Sequence, residues 1–478
     1  MIPVPGFEGR RIAVFGLGRS GLTAARALRA GGALPVLWDD SVSSRMQAEA
    51  EGFDVEDLTA ADWSGFAALV LSPGAPLTHP RPHWTVGKAR EAGVEIVGDI
   101  ELFARALATV REAERPAVVA ITGTNGKSTT TALIGWVLKQ AGMTVHVGGN
   151  IGIGVLALPE ERGPSGPHSP DAGAAELEVR APSRPVYVVE VSSYQLDLTT
   201  SFAPDVAILT NISPDHLDRH GGMEGYVAAK RRIFARAGLA LVGIDDAWGR
   251  DTASQLRSDG RTVVSVCTSG AAADISAAAG ELVTPDGRTD LTAARSLPGR
   301  HNAQNAAFAW GAARALGVTP DKALEGLLSF PGLAHRMETV GHLGRVRFVN
   351  DSKATNADAA RQALASYPRS FWIAGGRAKA GGIDDLEDLF PRVVEAFLIG
   401  EAAGPFAARL ADTPHRISGD MATAVRQAAE AAAATGRDEV VLLSPAAASF
   451  DQYPDFEARG EAFRAAVLAL GARPAGSS

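Results

Sequence analysis

The chain lacks the sequence features of disulfide-linked, membrane-spanning and secreted proteins. Its 478 residues include a single cysteine, Cys267, which excludes an internal disulfide and a metal cluster held by cysteines alone. No apolar run reaches the roughly 18 residues that cross a membrane. The first residues also lack the basic and apolar regions of a signal peptide. We therefore expect a cytoplasmic protein with no membrane span and a buried, inert thiol.

Positive charge is scarce as well. Lys and Arg number 46 against 54 Asp and Glu, which gives a formal net charge of −8. Proteins that bind nucleic acids broadly need a basic surface, so we expect no nucleic-acid partner. Hydrophobic residues make up 46% of the chain and charged residues 21%, as in globular proteins. Because a single core does not grow to this length, the chain should form about three domains.

One strand-to-helix transition carries the clearest functional pattern. An apolar run over 118–122 is followed by the glycine-bearing loop 123–126, by Lys127 and Ser128, and by apolar residues at helical spacing. This order favours a nucleotide triphosphate site, because loop N–H groups and a helix N-terminus attract phosphate. The generic phosphate-loop motif is met only in part, since its first glycine would fall at Ile121. An ordinary glycine turn is the alternative.

The N-terminal segment has a second glycine-rich turn. Gly16, Gly18 and Gly21 lie between an apolar strand and an alanine-rich helix, and Asp39 follows the next strand. The pattern leaves open NAD, a purely structural turn and another nucleotide diphosphate, which we favour. Ser72 follows a further strand, at the edge where open α/β sheets bind their ligands.

Strands and helices alternate along the chain, which predicts an α/β fold with mostly parallel sheets. We expect three consecutive α/β domains: a Rossmann-like N-terminal domain over 1–108, a central P-loop ATPase domain over 109–331 and a Rossmann-like C-terminal domain over 332–478. The stretch 159–185 is rich in Pro, Gly, Ser and Ala, and predicts a mobile insertion without a catalytic role.

Further residues of the central segment are candidate metal ligands. Glu190 and His216 each follow an apolar strand, so both should lie near the phosphate loop. Glu190 and Ser128 would hold one Mg²⁺ through oxygen atoms, and His216 would reach a second ion or its water. The alternatives are a satisfied buried carboxylate and a structural histidine. Lys230, by its spacing alone, is a lysine on a helix surface.

The motifs together resemble those of the Mur ligases of peptidoglycan synthesis, in the order of that family and over most of the chain. The matching stretches are 123–129, 149–152, 190–196, 211–219, 228–230, 299–302, 334–338 and 350–356. The N-terminal glycine turn and the runs 351–356 and 443–453 are most similar to the members that add D-glutamate.

The resemblance implies a reaction of cytoplasmic peptidoglycan precursor synthesis. ATP would phosphorylate the terminal carboxylate of UDP-N-acetylmuramoyl-L-alanine, and the amine of D-glutamate would displace phosphate from the acyl phosphate. It also implies ATP and two Mg²⁺ sites as cofactors. Lys230 would be a carbamylated lysine that offers oxygen ligands to Mg²⁺, which reverses the surface assignment. We expect a monomer that acts on small molecules.

The resemblance further implies a role for each matching residue. The catalytic residues would be Lys127, His216, Lys230 and Lys353. ATP would be bound by Gly123, Thr124, Asn125, Gly126, Lys127, Ser128, Thr129, Asn302, Arg336 and Asp351. The metal ligands would be Ser128, Glu190, His216 and carbamylated Lys230. The UDP-sugar would be held by Arg19, Ser20, Asp39, Ser72, Gly74 and Asn150. D-glutamate would be held by Thr355, Lys379, Ser449, Phe450 and Phe456.

Three other functions compete with this one. The nearest is another amino-acid-adding ligase, such as a sister Mur ligase or a folylpolyglutamate synthase. A nucleotide switch that hydrolyses ATP without making a bond belongs to a different class, and it would need no second substrate pocket. An NAD-dependent oxidoreductase built on the N-terminal glycine turn would leave the phosphate loop without a purpose.

Overall fold

The computed structural model describes residues 1–161, 184–278, 280–294, 296–379 and 381–475, and shows an α/β protein with three sheets. The insertion predicted over 159–185 lies outside the described residues except at its two ends. No helix in the described ranges is long and apolar enough to cross a bilayer. The α/β fold class predicted from the sequence is confirmed.

The first sheet is formed by the N-terminal residues and is parallel throughout. Its strands are β1 (Arg11–Phe15), β2 (Leu34–Trp38), β3 (Asp54–Val55), β4 (Phe66–Leu71) and β5 (Glu95–Val97). They lie in the order β3-β2-β1-β4-β5. The glycine turn and the residues after β2 and β4 therefore lie at the carboxyl edge of three adjacent strands, which is the edge where open α/β sheets bind ligands.

The second sheet carries the phosphate loop. Its strands are β6 (Ala117–Thr122), β7 (Val145–Gly149), β8 (Val186–Glu190), β9 (Val206–Leu209), β10 (Leu239–Gly243), β11 (Val263–Cys267), β12 (Ile275–Ala278), β13 (Glu281–Thr284) and β14 (Gly287–Asp290). Their order is β14-β13-β12-β11-β10-β9-β6-β8-β7, parallel except for the antiparallel β12-β13-β14 end. Every residue of β6 is buried, as expected of a central parallel strand.

The third sheet is formed by the C-terminal residues. Its strands are β15 (Glu338–Leu343), β16 (Val346–Asn350), β17 (Ser370–Gly375), β18 (Val393–Ile399), β19 (His415–Gly419), β20 (Glu439–Leu443) and β21 (Arg473–Pro474). Their order is β19-β18-β17-β20-β16-β15-β21. The pairs made by β15 are antiparallel and the other pairs are parallel.

Helices connect most of the parallel strands. They are α1 (Arg19–Ala30), α2 (Val42–Ala50), α3 (Trp84–Glu91), α4 (Asp99–Ala108), α5 (Lys127–Gln140), α6 (Ser193–Asp197), α7 (Leu217–His220), α8 (Met223–Arg231), α9 (Ala247–Ser258), α10 (Gly299–Ala315), α11 (Pro320–Leu328), α12 (Ala357–Ala365), α13 (Ala403–Leu410), α14 (Met421–Ala434) and α15 (Phe456–Ala469). Short 3₁₀ segments are Trp63–Gly65, Glu112–Glu114, Val155–Ala157, Arg232–Phe234 and Asp384–Arg392.

The chain forms two compact units. One unit comprises 1–295 and 302–330, and the other comprises 296–301 and 331–478. The first two sheets belong to one unit because they share a hydrophobic cluster, to which Phe103 and Tyr187 contribute an edge-to-face pair. The division of the chain into three domains at 108 and 331 stays a prediction.

Candidate active site

The phosphate loop connects β6 to α5. Gly126, which precedes the helix, has a φ of 82°, in the region that side chains rarely adopt. Gly123 has a φ of 145°, and a Cβ there would lie 1.9 Å from Thr210 Oγ1. Ile121, where the generic motif would place its first glycine, is still inside β6 and opposite Glu190 of β8. The loop is therefore shorter than the generic one, and both of its glycines are required by the backbone.

Residues just after β9 hold this loop in shape. The Asn211 carbonyl accepts a hydrogen bond from Thr124 N at 2.9 Å. The Asn211 amide accepts from Asn125 N at 2.9 Å and donates to Asn125 O at 3.1 Å. Thr210 Oγ1 donates to the same carbonyl at 2.7 Å. Sequence reasoning placed Asn211 in a matching motif but gave it no role; its position directly after a buried strand was the available signal.

Two lysines converge on one carbonyl of the loop. Gly123 O accepts hydrogen bonds from Lys127 Nζ at 3.0 Å and from Lys230 Nζ at 2.7 Å. Lys127 also donates to Thr124 O at 2.8 Å. In this arrangement Lys127 lies over the loop that we expect to bind phosphate.

Lys230 is buried, so its assignment to a helix surface from spacing alone is wrong. Only 2% of the residue is exposed, and its ammonium lies 4.6 Å from the centroid of the Tyr226 ring. The buried face of α8 packs against the phosphate loop, which periodicity could not reveal. Burial, together with the charge of Lys127, moves the pKa of Lys230 well below its ordinary value, although Asp215 and Glu190 act in the opposite direction.

Glu190 lies at the carboxyl end of β8, beside the loop. It is 3% exposed, and its Oε1 accepts a hydrogen bond from Asn150 Nδ2 at 3.0 Å. The buried Ser128 lies in the first turn of α5. Within the described ranges, no group of three or more His, Cys, Asp or Glu side chains is arranged to hold a metal ion. A cation bound here would therefore need further oxygen ligands from hydroxyl groups and from a nucleotide.

His216 immediately precedes α7. Its backbone is left-handed, with a φ of 54°, which is uncommon for a residue with a side chain. His216 Nε2 lies 3.4 Å from Asp215 Oδ2, and its ring centroid lies 5.0 Å from that of Tyr194. The side chain is 42% exposed, so the imidazole remains accessible to a ligand.

Asn302 in α10 is also connected to the loop region. It is buried, and its Oδ1 accepts a hydrogen bond from Asn305 Nδ2 at 3.0 Å. Asn305 Oδ1 accepts from Thr130 Oγ1 at 3.0 Å, and it would lie 2.7 Å from a Cβ at Gly126. Asn305 was not predicted; its spacing of three residues from Asn302 on one helix was the available signal.

Arg19 and Ser20 lie in the first turn of α1. Arg19 Nη1 donates to Gly152 O at 2.7 Å. Ser20 is hydrogen-bonded to the carboxyl group of Asp99. Burial raises the pKa of Asp99, against the hydrogen bonds from Gln195 and Ser20. Two of the predicted UDP-sugar residues are thus tied to the loop after β7 and to α4.

Asp39 ties the glycine turn to the segment after β2. Its Oδ2 accepts from Leu17 N at 2.6 Å and its Oδ1 accepts from Ser41 N at 2.8 Å. Arg45, which was not predicted, donates to Asp39 O at 2.6 Å, and its guanidinium lies 4.3 Å from the centroid of the Trp38 ring. Arg45 of α2 therefore contacts the end of β2 and the residue that follows it.

Ser72 directly follows β4 and lies against the glycine turn. Ser72 N donates to Phe15 O at 2.9 Å. A Cβ at Gly16, whose φ is 88°, would lie 2.4 Å from Ser72 Cβ. Gly74 is exposed two residues later. The glycine turn and the loop after β4 approach each other so closely that a side chain at position 16 would collide with Ser72. This packing accounts for Gly16 whether or not a dinucleotide binds there.

The second unit contains Asp351 and Arg336. Asp351 accepts hydrogen bonds from Ser444 Oγ at 3.0 Å and from Met337 N at 3.2 Å. Burial raises the pKa of Asp351 to about 7, against the effects of Ser444 and of the Arg336 charge. His335 and Met337, on either side of Arg336, have φ values of 60° and 48°. This strained backbone supports a functional role for the segment.

The residues predicted to hold D-glutamate are brought together in part. Lys353 Nζ lies 3.8 Å from the centroid of the Phe456 ring, and Thr355 N donates to Lys353 O at 2.8 Å. Ser449 is buried, whereas Lys379 and Phe450 are exposed.

Arg459 was not predicted, and it connects three segments of this region. It is 1% exposed. Its guanidinium donates to Ser352 Oγ at 3.0 Å, to Ser352 O at 2.8 Å and to Ala447 O at 2.9 Å. Burial lowers the pKa of Arg459 to about 10. No local pattern identifies a buried arginine whose partners are backbone carbonyls far away in the sequence.

Comparison with known proteins gives the family. Residues 121–313 match the Mur ligase middle domain, and residues 335–447 match the Mur ligase, glutamate ligase domain. A protein of Caulobacter vibrioides named UDP-N-acetylmuramoylalanine–D-glutamate ligase is 59% identical, over 98% of both chains. The chain belongs to the Mur ligase family. A protein of the same name from Phenylobacterium zucineum is 58% identical to this Mur ligase, again over 98% of both chains.

Solved Mur ligase structures share the fold. UDP-N-acetylmuramate–alanine ligase MurC of Thermotoga maritima matches with a TM-score of 0.57 and 16% identity, over 96% of this chain and 99% of that one. A pseudomurein peptide ligase type C of Methanothermus fervidus matches with a TM-score of 0.55 and 17% identity, over 97% and 100% of the two chains. ATP is the nucleotide that Mur ligases use, and their substrates are small molecules.

Proposed function

We propose that this Mur ligase joins D-glutamate to UDP-N-acetylmuramoyl-L-alanine and converts ATP to ADP and phosphate, in cytoplasmic peptidoglycan precursor synthesis. The observation that carries the proposal is the 59% identity, along 98% of both chains, to the Caulobacter vibrioides protein named for this activity. The phosphate loop with its two converging lysines agrees with a reaction that begins at a nucleotide triphosphate.

The chemistry follows from the weakness of a carboxylate as an electrophile. The γ-phosphoryl group moves from ATP to the terminal carboxylate of the UDP-sugar peptide, which gives an acyl phosphate and ADP. The uncharged amine of D-glutamate attacks the acyl carbon, phosphate leaves, and the amine loses a proton. Lys127 exchanges the carbonyls of Gly123 and Thr124 for phosphate oxygens, and the N-terminus of α5 favours the same anion.

The residues beside the loop fit Mg²⁺. Ser128 and Glu190 supply hard oxygen donors, both buried, and His216 supplies an accessible imidazole. We assign one ion to Ser128 and Glu190, and a second to His216 and a modified Lys230. When bound, Mg²⁺ neutralises charge on the transferred phosphoryl group. The protein residues orient the nucleotide and keep the carboxylate of Glu190 fixed through Asn150.

The environment of Lys230 suits carbamylation. Only an uncharged amine attacks CO₂, and the reaction forms an N–C bond with release of one proton. The lowered pKa of Lys230 favours its uncharged form over the ammonium, compared with an exposed lysine. The resulting carbamate replaces an ammonium group near Lys127 by an anion with two oxygen atoms. It therefore removes a repulsion and creates oxygen ligands in one step.

The remaining assignments concern the two other substrates. We propose that the UDP-sugar contacts Arg19, Ser20, Asp39, Ser72, Gly74 and Asn150, which lie in loops and a first helical turn after strands of the first two sheets. The adenine nucleotide also contacts Asn302, Arg336 and Asp351, and Lys353 acts in catalysis. D-glutamate contacts Thr355, Lys379, Ser449, Phe450 and Phe456, with the Lys379 ammonium paired to the side-chain carboxylate. The active enzyme is a monomer in the cytoplasm.

The test is ATP-dependent phosphate release with UDP-N-acetylmuramoyl-L-alanine, with and without D-glutamate, with the product followed by mass. We expect release to require both substrates and the product mass to rise by one glutamyl residue. L-alanine, L-glutamate and meso-diaminopimelate serve as alternative amino acids. Preference for one of these would assign the chain to a sister activity, and phosphate release without an amide product would indicate a nucleotide hydrolase.

A further inference from the structure

Two short helices follow the proposed ligands Glu190 and His216. Helix α6 (Ser193–Asp197) starts three residues after Glu190, and α7 (Leu217–His220) starts directly after His216. The distance between the two ligands therefore depends on how these helices pack. Several of the contacts between the two segments are made by aromatic and imidazole rings.

The ring of Tyr194 is the centre of this packing. It stacks on the ring of His220, with centroids 5.4 Å apart and an interplanar angle of 14°. It also contacts His216 in a tilted arrangement, with centroids 5.0 Å apart at 52°. Arg219 places its guanidinium carbon 4.5 Å from the centroid of the same ring. One side chain of α6 thus contacts three residues of the 216–220 segment.

His220 is fixed by α6 through both ring nitrogens. Its Nε2 lies 2.9 Å from Ser193 Oγ, and its Nδ1 lies 3.2 Å from Asp197 Oδ2. Its side chain is 2% exposed. A buried imidazole with a partner at each nitrogen cannot rotate without the loss of a hydrogen bond, which costs about 1–3 kcal/mol. The ring plane presented to Tyr194 is therefore fixed as well.

His216 needs such support because of its own conformation. Its left-handed backbone, with a φ of 54°, costs about 1–2 kcal/mol for an L-residue, and persists only where the surroundings determine it. Its side chain is 42% exposed, so packing in a core does not orient it. Contacts with the Tyr194 ring and with Asp215 restrict the direction of the imidazole.

We propose that Tyr194 and His220 are positioning residues that orient His216 toward the nucleotide-bound cation. The Tyr194–His220 clamp, defined as these two side chains with Ser193 and Asp197, sets the His216 ring relative to Glu190. This inference rests on the proposed role of His216 as a metal ligand. Loss of a partner that orients a metal-binding histidine costs on the order of tenfold in metal affinity.

The test measures cation binding directly. Mn²⁺ is titrated in the presence of a non-hydrolysable ATP analogue and followed by electron paramagnetic resonance, for the wild type and for Tyr194→Leu, Tyr194→Phe and His216→Ala. We expect Tyr194→Leu to weaken Mn²⁺ binding on the order of tenfold. Tyr194→Phe keeps the ring and is the matched control, so its affinity should stay within about twofold.

The outcomes separate this inference from the proposed function. If His216→Ala weakens Mn²⁺ binding and Tyr194→Leu leaves it unchanged, the clamp is overturned and the metal role stands. If His216→Ala itself has no effect, the proposed metal role fails. Asp197→Asn, at a side chain 26% exposed, provides a milder variant if Tyr194→Leu does not fold. It should weaken Mn²⁺ binding less than Tyr194→Leu does, and no change would overturn the clamp.

Discussion

At the scale of single residues, Asp351 couples the stability of the second unit to pH. Its folded pKa of about 7 lies above the ordinary 3.8, so the folded state binds more protons than the unfolded state between these values. The free energy of unfolding therefore falls as pH rises through this window. We expect Asp351→Asn to abolish the fall, which amounts to up to about 3 kcal/mol between pH 5 and 8. Urea unfolding at both pH values measures it.

A suitable control for this comparison is Asp358→Asn. Asp358 lies in the first turn of α12 and is not one of the buried residues of that helix. That variant should show the same pH dependence as the wild type. If the free energy of unfolding changes equally with pH in Asp351→Asn and in the wild type, the carboxyl group of Asp351 is already ionised in the folded protein at pH 5.

Lys230 gives a second prediction at this scale. Its lowered pKa leads us to expect a carbamate when the protein is equilibrated with ¹³C-bicarbonate. The carbamate carbon should appear in the ¹³C NMR spectrum as a signal that Lys230→Met lacks and that fades when CO₂ is removed. Lys139, a lysine at the exposed end of α5, is the control, since Lys139→Met should keep the signal. A signal that survives Lys230→Met would contradict the assignment.

At the scale of elements, α4 is joined to the segment after α6 by Glu101. Its carboxylate accepts from Thr200 N at 2.8 Å, from Ser201 N at 2.9 Å and from Arg105 Nε at 3.0 Å. Burial alone would raise the pKa of Glu101, but these bonds together lower it to about 2. The stability that they contribute is therefore present above pH 4.5 and is lost as pH falls toward 2.

Glu101→Gln should destabilise the protein by about 2–3 kcal/mol at pH 7, because a side-chain amide cannot accept all of these bonds as an anion does. The difference from the wild type should shrink as pH falls from 4.5 toward 3. Glu49→Gln, an exposed position on α2, is the control and should change stability by less than about 0.5 kcal/mol. A difference that does not depend on pH would refute the electrostatic explanation.

The phosphate loop allows a matched pair of glycine substitutions. Gly123→Ala would place a Cβ 1.9 Å from Thr210 Oγ1, so we expect loss of nucleotide binding, by at least about tenfold, and a lower melting temperature. Gly87→Ala, in the interior of α3, meets nothing within 4 Å and should stabilise the protein by about 0.5–1 kcal/mol. Calorimetric titration with ATP and thermal unfolding measure both effects. Normal ATP affinity in Gly123→Ala would show that the loop can rearrange.

Elements differ in how well the sequence predicts them. The run that forms β6 is apolar throughout and ends in a glycine loop, so strand, loop and α5 were all predictable. Strand β14 (Gly287–Asp290) has no apolar residue and is mostly exposed, and its pairing depends on the neighbouring β13. Hydrophobic periodicity does not reveal such strands, because they form by pairing with a neighbouring strand rather than by burying apolar side chains.

At the scale of the whole molecule, the order of the strands decides which residues meet. Local patterns placed Glu190 and Asn150 at strand ends, but their hydrogen bond requires β7 to lie beside β8. The burial of Lys230 and Arg459 was likewise unpredictable, because it arises from segments distant in the sequence. The resemblance to the Mur ligases implied that Lys230 is carbamylated. The burial of Lys230 beside Lys127 gives a physical reason to expect that modification.

The division of the chain into its two compact units also matters for genetic engineering. Six residues, 296–301, belong to the unit that otherwise begins at 331. A gene divided at codon 331 would leave this hexapeptide on the wrong polypeptide. Split-protein reporters and chimaeras between related enzymes therefore need to transfer 296–301 together with the C-terminal part. A recombination library with crossovers only at 331 would combine residues 296–301 of one parent with the C-terminal part of another.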